Sequence, residues 1–312
     1  MRADVVFPGN GMSLAGHLYT PDVPDGVSGP LPAIVIAHPW GGVKEQTAGL
    51  YARRLAGLGF AALAFDAAFQ GESGGEPRFL EDPFQRAEDV SNAVSYLTTR
   101  QDVDPDGIGA LGICTGGGHI TYAAASDHRI NAVATVSAVD IGSLLRDGLG
   151  RTRDPAAFRD VVAQAGRLRT EEALGASARL EHILPEEVDE STPVHVREGH
   201  DYYRTPRGGH PRSENAWVLR SVDRIAQYDS FARIDDLAPR PLLMIAGSEA
   251  ATAYFSREAV ERAAGPKELF RVEGASHFDL YDKDEFVTAA VAKLTRFYTS
   301  HLRRSRAVQP TA

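Results

Sequence analysis

The chain has 312 residues, 43% hydrophobic and 24% charged, a globular composition long enough for one large α/β domain without staples. Its 42 acidic residues outweigh 33 basic ones, and the formal charge of −9 disfavours a nucleic-acid or anionic-membrane partner. One cysteine excludes an intrachain disulfide and a multi-thiolate metal site; with no apolar leader or spanning run, a cytoplasmic protein is expected.

In chain order, Ser13 to Tyr19 alternates loosely, as an edge strand does. Ala33-Ile34-Val35-Ile36-Ala37 is a continuous apolar run, the pattern of a strand covered on both faces of a parallel sheet. Residues 44–58 space Leu50, Leu55 and Leu58 near a helical period, Gly59 stops the helix, and Phe60 to Phe65 makes the next strand. A second helix over 84–98 carries Ala87, Val90, Val94 and Leu97, and Asp106-Gly107 turns into strand Ile108–Ile113. Helix 117–126 and strand 132–136 follow. Residues 140–220 then break the rhythm, being richer in charge and proline. Helical patterns at 155–164 and 170–182 suggest a helical cap insertion between core segments 1–139 and 221–312. The alternation resumes with strand 241–246, helix 256–264, strand 268–272 and a terminal helix 283–301; the basic tail beyond Arg303 reads as a frayed end. Such βαβ units predict a doubly wound, mostly parallel sheet.

Gly112-Ile113-Cys114-Thr115-Gly116-Gly117 sits between a buried strand and a helix, the context of a nucleophile elbow. A side chain lifted onto that tight turn needs small neighbours two residues away on each side. The Thr115 N–H at the helix start would face a developing oxyanion, and the helix N-terminus would lower the thiol pKa. The rival use of Cys114 is as a buried apolar filler.

These segments resemble the α/β-hydrolase superfamily, with Cys in place of the usual Ser. More closely they resemble the dienelactone-hydrolase-like bacterial hydrolases and related polyketide acyltransferases. The resemblance is carried by the Cys elbow and by His38-Pro39-Trp40-Gly41-Gly42-Val43-Lys44-Glu45-Gln46, Phe65-Asp66 and Gly71 to Gly75. Tyr202 to Arg207 and Gly274-Ala275-Ser276-His277-Phe278-Asp279-Leu280-Tyr281 complete it, so that it covers nearly the whole chain. It implies the α/β-hydrolase fold.

His277, on the loop after the last strand and C-terminal to Cys114, fits the base. The resemblance puts the triad acid after the penultimate strand, where Gly247 to Thr252 offers one carboxylate, Glu249. Relatives carry their acid where this chain has Ala250 or Ala251, so Glu249, Asp279 or weak support without a carboxylate all stay open. The resemblance also makes the Trp40 N–H the second oxyanion donor, with its ring a pocket wall or core packing, and sets Glu45 against the resting thiol, unless it only favours a helix start; His38, at the end of its strand, is placed to support that loop. In the insertion, Tyr202, Tyr203, Arg204 and Arg207 form a cluster in which Arg would hold a substrate carboxylate or phosphate, unless it only decorates the surface.

The expected activity is hydrolysis of an ester, lactone or thioester through a Cys114 acyl-enzyme. An acyltransferase using a hydroxyl or amine acceptor is one rival, and a non-catalytic binding protein on the same fold is another. A small acyl substrate is the expected partner, with a homodimer allowed, and neither cofactor nor metal is called for.

Overall fold

Eight strands form one sheet in the order β1-β2-β4-β3-β5-β6-β9-β10. The strands are β1 (Arg2–Gly9), β2 (Met12–Tyr19), β3 (Leu31–Ala37), β4 (Ala61–Phe65), β5 (Val103–Ile113), β6 (Ala132–Val136), β9 (Leu242–Gly247) and β10 (Lys267–Val272). The pairs from β4 to β10 are parallel, whereas β1 and β2 extend one edge antiparallel. This is the doubly wound α/β-hydrolase architecture, seen here in a computed structural model that describes residues 1–22 and 29–302. The tail beyond Arg303 lies outside the described residues.

Alternate residues of the apolar strands feed two cores. On β3, Ala33, Val35 and Ala37 point into one and Ile34 and Ile36 into the other. The first is closed by α2 (Pro83–Thr98) and α3 (Thr115–Ser126), and the second by α1 (Thr47–Ala56) and α10 (Asp284–Leu302). The start of α2 is set locally: the Asp82 side chain accepts from the Phe84 and Gln85 amides, and Pro83 supplies a preset first turn. The chain winds from β3 to β4 on one side and then returns to β5 on the other. The carboxyl ends of β3 and β5 therefore flank the crevice where ligands collect in such sheets.

The segment between β6 and β9 holds α4 (Ile141–Asp147), α5 (Pro155–Ala173), α6 (Val194–Arg204), α7 (Val222–Ile225) and an antiparallel pair of β7 (Leu180–His182) with β8 (Ala216–Val218). Two helical patterns were expected at 155–164 and 170–182. Instead one helix runs from an Asp154 cap and Pro155 through Ala173, and Leu174 ends it before Gly175 at φ +99°. The remaining core helices are α8 (Ala253–Arg262) and α9 (Asp279–Asp282). No described helix is long and apolar enough to cross a membrane.

Candidate active site

Cys114 stands between β5 and α3 at φ +55°, a left-handed conformation that costs a non-glycine residue about 1–3 kcal/mol. The turn is held by its backbone: the Cys114 N–H donates to Val136 O (3.0 Å), and Cys114 O accepts from Gly117 and Val139. The flanking glycines are sterically required. A Cβ on Gly112 would lie 2.2 Å from Gly116 O, and one on Gly116 would lie 2.4 Å from Ala37 O.

The loop after β10 carries His277, which is 4% exposed. Its Nδ1 meets Thr252 Oγ1 at 2.6 Å and its Nε2 meets the Tyr281 hydroxyl at 3.1 Å. Ser137, itself at φ +50°, donates from Oγ to His277 O and ties this loop to the end of β6. Burial holds the imidazole down at about 3, with a smaller push from His195. Burial also raises the Cys114 thiol, against opposing contacts from the Tyr281 hydroxyl and the Thr115 N–H. The resting pair is therefore neutral. This corrects the expectation of a thiol acidified by the helix terminus, because desolvation outweighs the amide.

Glu249 does not reach the histidine. It is exposed, its carboxylate accepts from Ser248 Oγ at 3.2 Å, and the position facing Nδ1 belongs to Thr252 three residues later. Asp279 is also turned away, accepting from the Ser276 N–H and pairing with Lys283. Glu45 does not face the thiol either. Lys44 Nζ (2.9 Å) and Arg212 hold its carboxylate, and against its burial they keep it ionised down to about 2.

Trp40 lies on the loop after β3, and its N–H donates to no backbone carbonyl among the described residues. The loop is braced from below. Ala67 N–H donates to His38 Nε2 (3.1 Å), so His38 Nδ1–H donates to Pro39 O (2.7 Å). The Arg86 guanidinium sits 3.3 Å from that ring and pairs with buried Glu81 at 2.8 Å. From above, Ser213 Oγ donates to Gly41 O (2.6 Å), and Trp217 meets the Trp40 ring edge-on at 5.2 Å.

The insertion cluster divides. Tyr203 walls the cavity over Cys114, and Tyr202 packs edge-on against Tyr281 at 5.0 Å. Arg204 is exposed. Arg207 is consumed by Asp282 (2.6 Å), Asp201 (2.9 Å) and Phe278 O (3.0 Å), so it is a bolt across to the His277 loop and not a substrate anchor. Sequence reasoning missed Thr252 and gave Tyr281 no role. A hydroxyl where an acid was sought carries no signal, whereas Tyr281, four residues after His277, stood at a spacing that returns to the same face of a helical turn.

Residues 14–139 match the Dienelactone hydrolase family. The uncharacterized protein YcjY of Escherichia coli (strain K12) is 40% identical over 271 residues, which span 86% of this chain and 89% of that one. The chain belongs to the dienelactone-hydrolase-like α/β-hydrolase family. A second member, the uncharacterized protein PA2218 of Pseudomonas aeruginosa, is 37% identical over 309 residues, 94% of this chain and 78% of its own. The crystal structure of hypothetical protein PA2218 superposes with a TM-score of 0.92 at 36% identity over 97% of this chain and 94% of that one. Within this family the single cysteine occupies the nucleophile-elbow position after β5, and the chain is a cysteine-type α/β-hydrolase.

Proposed function

We propose that this enzyme cleaves a neutral, largely apolar ester, lactone or thioester through an acyl-cysteine. The supporting observation is one cavity of ≈ 190 Å³ whose wall carries Cys114, His277, Thr115 and Trp40 together. Leu144, Leu149, Ile183, Leu184, Val196 and Phe278 line most of the rest beside the polar His195, Ser213 and Asn215, with no Asp, Glu, Lys or Arg among the described lining residues. An anionic acyl group would enter that wall unpaired, at a cost of several kcal/mol. Cys114 Sγ bonds to the carbonyl carbon as the thiol proton passes to His277, and the Thr115 and Trp40 amides hold the oxyanion. The leaving group departs with that proton, and water then releases the acid. Because thiol and imidazole are both neutral at rest, ionisation belongs to the attack itself. A reducing compartment such as the cytoplasm suits a catalyst whose one cysteine must remain a thiol.

Intact-mass spectrometry of wild type and Cys114→Ala, incubated with acyl thioesters and activated esters, tests this. An adduct on wild type alone is expected, forming faster from neutral chains than from ω-carboxylate chains. A folded wild-type protein left unmodified by every acyl probe would overturn the proposal. The insertion's share of the cavity wall, from Ile183 to Asn215, favours a second reading in which a bound alcohol or amine takes the acyl group. Adding such acceptors and following their acylated products separates transfer from hydrolysis.

A further inference from the structure

We propose that Tyr281 is a catalytic residue that carries the proton between the Cys114 thiol and His277, an assignment that rests on the acyl-cysteine reading above. In a direct pair, the imidazole nitrogen remote from its orienting partner faces the nucleophile. Here that nitrogen, Nε2, faces a phenol: the Tyr281 hydroxyl lies 3.1 Å from it, and Tyr281 and Cys114 line the same cavity wall. The other nitrogen is engaged by Thr252.

The phenol cannot swing away freely. Tyr281 is fully buried, and its ring is wedged between Tyr202 (5.0 Å, 89°) and Phe278 (4.9 Å, 59°). Its amide donates to Phe278 O at 3.1 Å, one turn after the histidine. Burial also keeps the hydroxyl protonated at rest, with further upward pushes from Cys114 and Tyr203.

The proton balance closes without a charged tyrosine. The relay starts with Tyr281 O–H donating to Nε2 and the thiol proton aimed at Tyr281 O. During attack the S–H bond breaks as S–C forms, the thiol proton goes to Tyr281 O, and the original phenolic proton goes to Nε2. The products are a thiohemiacetal oxyanion, an intact phenol and an imidazolium. On collapse the imidazolium returns its proton to Tyr281 O, which passes its own to the departing oxygen or sulfur.

The test compares full-length wild type with Tyr281→Phe, which keeps the ring and deletes the hydroxyl. Single-turnover acylation by the phenyl thioester of butyric acid is followed in H₂O–D₂O mixtures. The variant is expected to acylate about 100-fold more slowly, the usual scale for a positioned acid–base group. The wild-type proton inventory is expected to be bowed, reporting two protons in flight, and the variant's linear. Acylation within threefold of wild type, or faster acylation, would overturn the relay. A linear wild-type inventory would also overturn it, and needs no variant if Tyr281→Phe does not fold. If no acyl adduct forms on wild type, the acyl-cysteine reading fails by itself. Alkylation of Cys114 by iodoacetamide then decides the relay: about tenfold slower in the variant supports it, since the thiolate loses a charged-group hydrogen bond, and an equal rate refutes it.

Discussion

Thr252→Asp places a carboxylate where Thr252 Oγ1 now meets His277 Nδ1 at 2.6 Å. Opposite charges about 4 Å apart interact by about 4 kcal/mol at an effective dielectric near 20, or about 3 pKa units. The histidine, held near 3 in the native protein by burial, should rise to about 6. The cost of burying the new carboxylate subtracts from protein stability more than from this shift. A base must be neutral to accept a proton, so the acid limb of the acylation rate should move up to about pH 6. Above that limb the stronger base should acylate at least ~10-fold faster, as Brønsted behaviour requires. Single-turnover acylation from pH 5 to 9, with NMR titration of labelled histidines, reads both effects. An unmoved limb and a His277 that still resists protonation at pH 5 would refute the claim that residue 252 sets the basicity of this site.

Three further outcomes follow from other contacts. His119 is 1% exposed, neither ring nitrogen has a hydrogen-bond partner among the described residues, Nε2 lies 3.8 Å from Glu81, and burial holds its pKa well below 6.5. Its contribution to stability is full above 6.5 and lost as pH falls below it, because only the unfolded chain then binds the proton. In urea unfolding, His119→Phe should therefore lack about 1.4 kcal/mol of the wild-type loss between pH 7.5 and 5.5; identical pH dependence would contradict this. The buried carboxylates Asp66, Asp89 and Asp140, all raised by burial, act in the opposite sense in both proteins and cancel in the comparison, whereas Glu81, 3.8 Å from His119 Nε2, keeps its Arg86 partner. Ser213→Ala deletes the hydrogen bond to Gly41 O and should cost about 1 kcal/mol of stability and slow acylation several-fold; unchanged acylation would detach Ser213 from the oxyanion loop. Arg207→Ala removes the ion pairs to Asp282 and Asp201 and the bond to Phe278 O, for about 2 kcal/mol in urea unfolding. Arg207→Lys should recover little of that, since an ammonium cannot span the same three acceptors.

The parts of this molecule legible in sequence are those governed by backbone necessity. The run Ala33–Ala37 announces a strand covered on both faces, and the paired glycines around Cys114 announce a turn that excludes side chains. β1 was not legible, because the exposed Val6 masks the inward alternation of Val5 and Phe7. Nor was the β7–β8 pair, whose strands of three residues are too short to show a hydrophobic period. At the site, Cys114 and His277 could be read because chain order constrains them. Glu249 misled because carboxylate chemistry, and not position, selected it, while the loop after β9 turns its exposed side chain toward Ser248. Arg207 misled for a related reason: its charge implied a ligand, and Asp201 and Asp282 had already claimed it.

The insertion grips the core at three places that are themselves parts of the reaction centre: Ser213 on the carbonyl of Gly41, Trp217 against Trp40, and Arg207 on the carbonyl of Phe278. Ser213 lines the cavity together with Trp40, Gly41 and Phe278, so the residues that shape the acyl site also hold the amide loop and the histidine loop in place. A substitution that loosens one of these three contacts therefore alters substrate fit and catalytic geometry together.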